Sequence, residues 1–163
     1  MSALQSPNIA HAGEDPSPET MRKGALIAAI AAAELSTDGR AFEAEIDDDG
    51  CACAFEVAIV DASGVQEVSL DLDGEIAAAE PAGLLSRFFA GAPDLFAGVE
   101  RSLAEAVAAV EAEIDGFAFA AELEFEDNRP LYEVEVMDRD GVALEARVDG
   151  VTGRILSIDA KND

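Results

Sequence analysis

Apolar and polar positions between Ser102 and Asp159 follow the clearest pattern in the chain, and they predict one helix followed by an antiparallel sheet. Ser102 and Glu105 have the spacing of a capping box, in which each side chain bonds the other residue's backbone amide. Apolar residues then recur at helical spacing and define a predicted buried stripe of Leu103, Ala106, Val107, Val110 and Ile114. Three glutamates are expected to lie mainly off that stripe: Glu105, Glu111 and Glu113.

The period of the pattern changes to two after Asp115-Gly116, which ends the helix. Side chains that alternate in this way are typical of half-buried strands. We predict four strands within 119–126, 132–136, 142–148 and 155–158, separated by turns at 127–130, 138–141 and 149–153. One helix can cover the apolar face of such a sheet while the glutamate-bearing face meets water, so the predicted fold class is α+β.

The preceding part of the chain carries a weaker copy of the same pattern. When Phe42 is aligned with Phe119, an offset of 77 residues (119 − 42), no gap is needed from the first helix to Val65. The matching pairs include Asp38-Gly39 with Asp115-Gly116, Glu56-Val57 with Glu133-Val134, and Asp61 with Asp138. We therefore predict two tandem units, each a helix packed on a small antiparallel sheet.

Four segments follow from this pattern: a flexible leader (1–16), a degenerate first unit (17–80), an apolar connector that is expected to be helical (81–100), and a second unit (101–160). The first helix is expected to begin at Ser17-Pro18-Glu19 and to end at Asp38-Gly39. A last strand of the first unit, near Glu75 to Ala79, is not clearly indicated, because the turn before it is short and no Thr-Gly follows.

The second unit resembles a PepSY domain. The resemblance rests on the helix opening Ser-Leu-Ala-Glu-Ala-Val (102–107), on Tyr-Glu-Val-Glu-Val (132–136) and on the closing run Val-Asp-Gly-Val-Thr-Gly-Arg-Ile-Leu-Ser-Ile (148–158). These positions imply a fold and a non-enzymatic domain, and they imply no active site. PepSY units occur in metallopeptidase propeptides and in exported or membrane-associated bacterial proteins, so the resemblance implies an inhibitory or regulatory binding role.

Charge narrows the classes of partner. The formal net charge is −25, from 35 acidic and 10 basic residues. Such a field repels phosphate backbones and anionic lipid surfaces, so we expect neither nucleic-acid binding nor a peripheral membrane role. It suits a protein partner with a basic surface or divalent cations such as Ca²⁺, and it equally suits solubility in a salty or exported setting.

The family resemblance and the sequence of this chain predict different cellular locations. No run of about 18 apolar residues is present, so no membrane insertion is expected. Residues 1–19 lack the basic and apolar regions of a signal peptide. The resemblance implies an extracytoplasmic location, periplasmic or secreted, whereas the chain, if it is complete, indicates the cytoplasm.

Two short patterns have the spacing of metal ligands. Residues 45–56 match an EF-hand loop, with Asp47 and Asp49 at ligand positions and glutamate instead of aspartate at the first. An EF-hand needs a helix on each side, whereas strands are predicted here, so an acidic β-turn is the favoured interpretation. Cys51 and Cys53 would share one face of a strand, but two thiolates are too few for a closed zinc site.

The connector is too apolar for a free linker. Its large apolar side chains are Leu84, Leu85, Phe88, Phe89, Leu95 and Phe96. One interpretation is a short helix buried between the two units. The other is an exposed apolar patch, with Phe88, Phe89 and Phe96 as the candidate partner surface.

No catalytic constellation is apparent. The sequence has no phosphate-binding glycine loop, no nucleophile elbow and no histidine placed to activate a serine or cysteine, so we predict no enzymatic activity and no cofactor. The predicted function is a binding module that regulates a peptidase or another envelope protein. Two alternatives remain open: an enzyme inhibitor with the tandem architecture of β-lactamase inhibitor proteins, and an acidic structural protein that binds calcium through Asp47, Asp49 and Asp73.

Overall fold

The computed structural model describes residues 22–47, 54–82 and 95–161. These ranges hold a helix, four strands, a second helix and four further strands. The first half comprises α1 (Ala25–Thr37), β1 (Arg40–Ile46), β2 (Phe55–Asp61), β3 (Gly64–Leu70) and β4 (Ile76–Pro81). The second half comprises α2 (Leu103–Glu113), β5 (Gly116–Glu126), β6 (Arg129–Asp138), β7 (Ala143–Asp149) and β8 (Ile155–Ala160).

All eight strands belong to one antiparallel sheet, in the order β4-β3-β2-β1-β5-β6-β7-β8. The two halves meet where β1 pairs with β5, with Ala44 opposite Ala121 and Glu43 opposite Glu122. The predicted α+β class is confirmed. The sequence patterns predicted a small sheet in each half, and the structure joins them into one continuous sheet.

Both helices pack against the same sheet and enclose the core with it. α1 packs on β1, β2 and β5, α2 packs on β5 and β6, and the two helices contact each other. The buried stripe predicted for α2 is confirmed, since all five of its apolar residues are buried. Removing a side chain the size of Leu26 or Leu103 from water contributes about 1.5–3 kcal/mol, so the helices and sheet stabilise each other mainly through this contact.

The chain just before α2 is held by polar contacts. The amide of Glu105 donates to the Ser102 hydroxyl at 3.1 Å, and the amide of Ser102 donates to the Glu105 carboxylate at 2.7 Å, which confirms the predicted capping box. The hydroxyl of the fully buried Tyr132 donates to the carbonyl of Arg101 at 2.6 Å. The Arg40 guanidinium of β1 donates to the same carbonyl at 2.9 Å. The start of α2 is therefore anchored to both halves of the sheet.

One hairpin turn is tighter than predicted. Asp127 and Asn128 alone connect β5 to β6, and both have positive φ, 50° and 63°. Two-residue turns with two left-handed residues match the twist of antiparallel strands, and Asp and Asn tolerate this conformation. Arg129 and Pro130 consequently extend β6 and pair with Glu126 and Phe125, where the sequence predicted a four-residue turn.

The beginning of α1 and the end of the first half also differ from expectation. α1 begins at Ala25, after Gly24 with φ 83°, so it begins later than the predicted start at Ser17-Pro18-Glu19, which itself lies outside the described residues. Its predicted end is confirmed, because Asp38 adopts φ 54° directly after Thr37. The uncertain last strand of the first half is present as β4, which pairs with β3 along most of its length.

Glu111 is the residue for which the helical pattern was misleading. It was expected off the buried stripe, yet its side chain is only 2% exposed. Its carboxylate accepts the amide of Gly24 at the start of α1 and the amide of Ala118 in β5, each at 2.9 Å. The hydrogen bonds explain how a carboxylate is accommodated there, since they satisfy two backbone donors at once.

Several features of the second half recur in the first. Glu34 of α1 accepts the amide of Ala41, just as Glu111 accepts that of Ala118, and both bonds span seven residues. The strand register shifts between Ala41 and Glu43 in β1, and between Ala118 and Ala120 in β5. Each of these positions is separated from its counterpart by 77 residues (111 − 34, 118 − 41).

Glu111→Ala is expected to lower the free energy of unfolding by about 2–4 kcal/mol, because it leaves two backbone N–H groups without their charged acceptor. Urea unfolding followed by circular dichroism measures the change. Glu113→Ala, on the exposed side of the same helix, is the matched control and should change it by less than about 0.5 kcal/mol. Equal losses in the two variants would contradict the role given to Glu111.

Candidate functional site

The face of the sheet opposite the helices carries a concentration of carboxylates. On β6, for example, Val134 and Val136 point into the core, whereas the alternate residues Glu133 and Glu135 point to the other side. We name this surface the glutamate face and define it by seven residues: Glu43, Glu45, Glu122, Glu124, Glu133, Glu135 and Glu145.

Cross-strand register brings glutamates from different strands directly opposite one another. Glu43 of β1 lies opposite Glu122 of β5, and Glu122 lies opposite Glu133 of β6. Directly opposite side chains have Cβ atoms about 4.5–5.5 Å apart, and like charges at that distance destabilise a sheet. The row ends at Arg147 of β7, which lies opposite Glu133.

A second row runs beside the first. Glu45 of β1 lies opposite Ala120 of β5, and Ala120 lies opposite Glu135 of β6. Glu135 in turn lies opposite Glu145 of β7. Because Ala120 of β5 separates Glu45 from Glu135, the carboxylates of β1 and β6 are not directly opposite each other in this row, whereas those of Glu135 and Glu145 are.

This crowding is reflected in the acidity of the carboxyl groups. Burial raises the pKa of Glu43, and the nearby carboxylates of Glu122 and Glu45 raise it further. The pKa of Glu122 is raised by burial and then by Glu124 and Glu135. The pKa of Glu133 is raised by burial and by Glu124, and Arg147 offsets part of that effect. These groups therefore hold their negative charge against mutual repulsion.

The cations that contact this face lie toward β7 and β8. Arg147 is within 3.3 Å of Glu126, 3.7 Å of Glu133 and 3.9 Å of Glu145. Lys161, directly after β8, forms an ion pair with Glu135. Positive charge is thus concentrated at one side, so the negative potential is strongest where β1 meets β5.

A shallow cavity lies over the junction of β1 and β5. Its volume is about 110 Å³, and Glu43, Glu45, Glu122, Glu133 and Glu135 line it. Pockets for drug-sized ligands are several times larger, about 300–1,000 Å³. The cavity has room for an ion or for the charged end of a lysine or arginine side chain.

Three residues of the glutamate face are close enough together to bind one cation jointly. Carboxylate oxygens of Glu122, Glu124 and Glu133 all lie within 4.8 Å of one another. Oxygen ligands of this kind suit Ca²⁺ or Mg²⁺. Exposed acidic groups are common without a bound ion, so the geometry alone does not establish a metal centre.

The predicted metal ligands are only partly within the described chain. Asp47 directly follows β1, and its amide donates to the carbonyl of Ala54 at 3.1 Å. Antiparallel strands, β1 and β2, precede and follow this loop, whereas an EF-hand requires a helix on each side. Asp49, Cys51 and Cys53 lie outside the described residues.

Only one of the three residues of the predicted partner surface lies within the described residues. Phe88 and Phe89 lie outside the described residues. Phe96 is partly buried and packs against the main core and against a smaller cluster of buried residues that contains Phe42 and Val65. The Arg40 guanidinium lies 4.2 Å from the centre of its ring, a distance typical of a cation–π contact. The side chain of Phe96 therefore contributes to the fold.

Asp73, the remaining predicted calcium ligand, lies in the turn between β3 and β4, where its amide donates to the Asp71 carboxylate at 3.0 Å. The β3–β4 turn and the loop after β1 are at the same end of the sheet, because successive strands are antiparallel. The structure does not bring Asp47 or Asp73 into the glutamate face.

Sequence reasoning placed glutamates on one face of the sheet but did not identify a site there, because acidic residues are frequent throughout the chain. What distinguishes the glutamate face is the pairing of β1 with β5. Alternation within each strand predicts the face, whereas only the register of two distant strands places Glu43 opposite Glu122.

Comparison with known proteins identifies the second half. Residues 102–159 match the PepSY family model, described as peptidase propeptide and YPEB domain. The predicted resemblance is confirmed for that segment, and it supports a non-catalytic domain of this family, for which protein interaction is the expected mode of action. No curated protein is significantly similar to the chain in sequence.

Two solved structures align with much of the chain. A candidate lipoprotein from Clostridium difficile 630 is 14% identical, with a TM-score of 0.44, and the alignment covers 78% of this chain and 86% of that one. The YpmB protein from Bacillus subtilis is 20% identical, with a TM-score of 0.37, and the alignment covers 66% of this chain and 74% of that one. Likenesses at this level say nothing about function.

Among the helices of the described ranges, none combines the length and the apolar character that crossing a membrane requires.

Glu122→Gln is expected to stabilise the protein at pH 7 and to have little effect near pH 4. A carboxyl whose pKa is raised by folding binds more protons in the folded state, so its contribution to stability falls as the pH rises from its ordinary pKa through the raised one. Glutamine removes that penalty. We expect the melting temperature to rise by about 1–3 °C at neutral pH, measured by differential scanning calorimetry.

Glu75→Gln, in the exposed turn before β4, is the control for this experiment and should leave the melting temperature nearly unchanged at both pH values. A lower melting temperature of Glu122→Gln at pH 7 would mean that the Glu122 carboxylate stabilises the fold, contrary to the repulsion inferred for it.

Proposed function

We propose that this chain is a non-catalytic binding module that takes a basic segment of a partner protein on its glutamate face and thereby regulates that partner, a peptidase or another envelope protein. The PepSY match of residues 102–159 supports the class of protein. The observation that carries the choice of surface is the row of Glu43, Glu122 and Glu133 across three strands.

The energetics of this row favour a cationic ligand. Glutamates held opposite one another cost stability in the free protein, and a positive partner removes part of that cost when it binds. The raised pKa values of Glu43, Glu122 and Glu133 are consistent with this, because a nearby positive charge would lower them again. The cavity of about 110 Å³ suits one lysine or arginine end group rather than a small-molecule substrate.

We further propose that the first half is a diverged copy of the second, so that the binding surface belongs to two fused PepSY-like units. The recurring order of elements, the shared bulge and the equivalent bonds of Glu34 and Glu111 support this interpretation. The glutamate row needs both halves, since Glu43 lies in the first and Glu122 in the second.

A second candidate function is inhibition of an enzyme by docking across the whole sheet. The observation in its favour is the continuity of all eight strands, which provides one wide surface. It differs from the first proposal in the outcome for the partner, since an inhibitor would occlude an active site. An activity assay of any captured enzyme, with and without this chain, separates the two.

The proposal is tested by affinity capture from an extract of the source organism, using two folded variants of equal net charge. The first combines Glu43→Gln, Glu122→Gln and Glu133→Gln. The second combines Asp73→Asn, Glu75→Gln and Asp140→Asn, at exposed positions in the turns between β3 and β4 and between β6 and β7. We expect the first variant to bind a captured partner at least about tenfold more weakly than wild type, and the second to bind it within about twofold, because pairing at the face is local.

Salt adds an independent readout to the capture experiment. Binding through the glutamate face should weaken steeply between about 0.05 and 0.5 M salt, since screening shortens the range of exposed charges. Equal affinity of the two triple variants, or affinity that does not depend on salt, would contradict the assignment of this face.

Calcium separates the protein-binding proposal from the cation-binding alternative. If the Glu122, Glu124 and Glu133 cluster is a calcium site, the wild-type melting temperature rises with millimolar calcium and that of Glu124→Gln does not, because a ligand of the folded state stabilises it. If the face binds a protein and not calcium, calcium should change the melting temperatures of wild type and Glu124→Gln by similar, small amounts. Magnesium and sodium chloride at equal ionic strength are the controls.

A further inference from the structure

An open groove separates α2 from the edge strand β8. Its volume is about 460 Å³, and it is lined by Ala109 and Glu113 of α2 and by residues around β8, namely Gly153, Arg154, Ile155 and Ile158. α2 packs on β5 and β6, whereas α1 reaches as far as β3 and the opposite edge strand β4. The second helix therefore packs mainly on the inner strands of its half, and most residues of β8 are exposed.

β8 also presents backbone groups for pairing. It is the last strand of the sheet and pairs with β7. The amide of Lys161 donates to the carbonyl of Ala143 at 3.0 Å, so these two residues form a hydrogen-bonded pair. Hydrogen-bonded and non-hydrogen-bonded pairs alternate along antiparallel strands, so the type of each further pair between β7 and β8 follows from this one. By that alternation Ile158 and Ala160, opposite Ala146 and Leu144, direct their N–H and C=O groups away from β7.

The two edges of the sheet differ in how they resist a further strand. On β4, the Ala82 amide donates to the carbonyl of Val65. By the same alternation, Ala79 and Pro81 direct their backbone groups away from β3. Proline lacks an N–H and protects an edge. β8 contains neither proline nor lysine, and Leu156 and Ile158 are 55% and 39% exposed.

Charge indicates which occupant suits this edge. A second copy of the chain would bring two net charges of −25 together, which opposes self-pairing. Glu113 and Arg154 both line the groove, so its own charges balance, and the negative charge that a ligand meets is that of the chain as a whole. An extended segment with alternating apolar and basic side chains complements the apolar floor and this net negative charge.

We propose that β8 and the groove beside α2 bind an extended, basic-apolar peptide segment of a partner protein, which adds to the sheet as a ninth strand. Its backbone pairs with the outward groups of Ile158 and Ala160, and its apolar side chains pack on Ala109, Ile155 and Ile158. This surface is separate from the glutamate face and does not depend on the function proposed for it.

The test uses the decapeptide Lys-Val repeated five times, labelled with fluorescein, and measures its affinity for the full chain by fluorescence anisotropy. Ile158→Pro removes an outward N–H without removing a bond to β7, so it should weaken binding by about tenfold or more. Ala79→Pro makes the equivalent change on the β4 edge and should alter the affinity by less than about twofold.

Two further peptides distinguish strand addition from simple electrostatic attraction between a basic peptide and the acidic protein. A decapeptide with N-methylated valines cannot donate to the edge and should bind about tenfold or more weakly. The decapeptide Lys-Ser repeated five times has equal charge but no apolar side chains, and it should also bind weakly. If it binds as tightly as the Lys-Val peptide, the inference is overturned while the function proposed for the glutamate face stands.

Hydrogen exchange keeps the inference testable if Ile158→Pro does not fold. In wild type, the amides of Ile158 and Ala160 should exchange about tenfold or more slowly when the Lys-Val peptide is present. Unchanged exchange at these amides, equal affinity of a folded Ile158→Pro, or a dimer in the absence of peptide that is lost in Ile158→Pro would each overturn it.

Discussion

The antiparallel pairing of β1 with β5 is the constraint on which the remaining structure depends. These two strands follow α1 and α2 directly, and their pairing turns two four-stranded halves into one sheet. It places both helices against a shared core, and it sets Glu43 opposite Glu122 on the other face. The same contact thus creates the stability of the fold and the electrostatic strain of the candidate site.

Glu111 and the glutamates of the glutamate face have opposite roles in this balance. Glu111 is enclosed, yet two backbone amides from different halves donate to its side-chain oxygens, so these hydrogen bonds help to hold the start of α1 near β5. The glutamates of the opposite face raise one another's pKa values. An apolar core large enough to bury Tyr132, Leu26 and Ile30 completely can tolerate that repulsion, and a positively charged partner would relieve it.

Local patterns in the sequence predicted those features of the fold that involve residues close together in the chain. The capping box, the apolar stripe of α2 and the alternation of β5 to β7 follow from periods of 3.6 and 2, and each is found in the structure. The burial of Glu111 and the pairing of β1 with β5 involve residues more than 70 positions apart, for which periodicity carries no information. The tight turn at Asp127-Asn128 was missed because Arg129-Pro130 has the composition of a turn, although Pro130 lies in β6.

NMR titration of the carboxyl groups, in the free protein and in its complex with a captured partner, shows whether the glutamate face binds a cationic segment. We expect Glu43, Glu122 and Glu133 to titrate above the ordinary range of glutamate in the free protein. We also expect their pKa values to fall when the partner binds, because a cationic segment stabilises the charged forms. Ordinary pKa values in the free protein, or values that the partner leaves unchanged, would contradict the claim that this face is the binding surface.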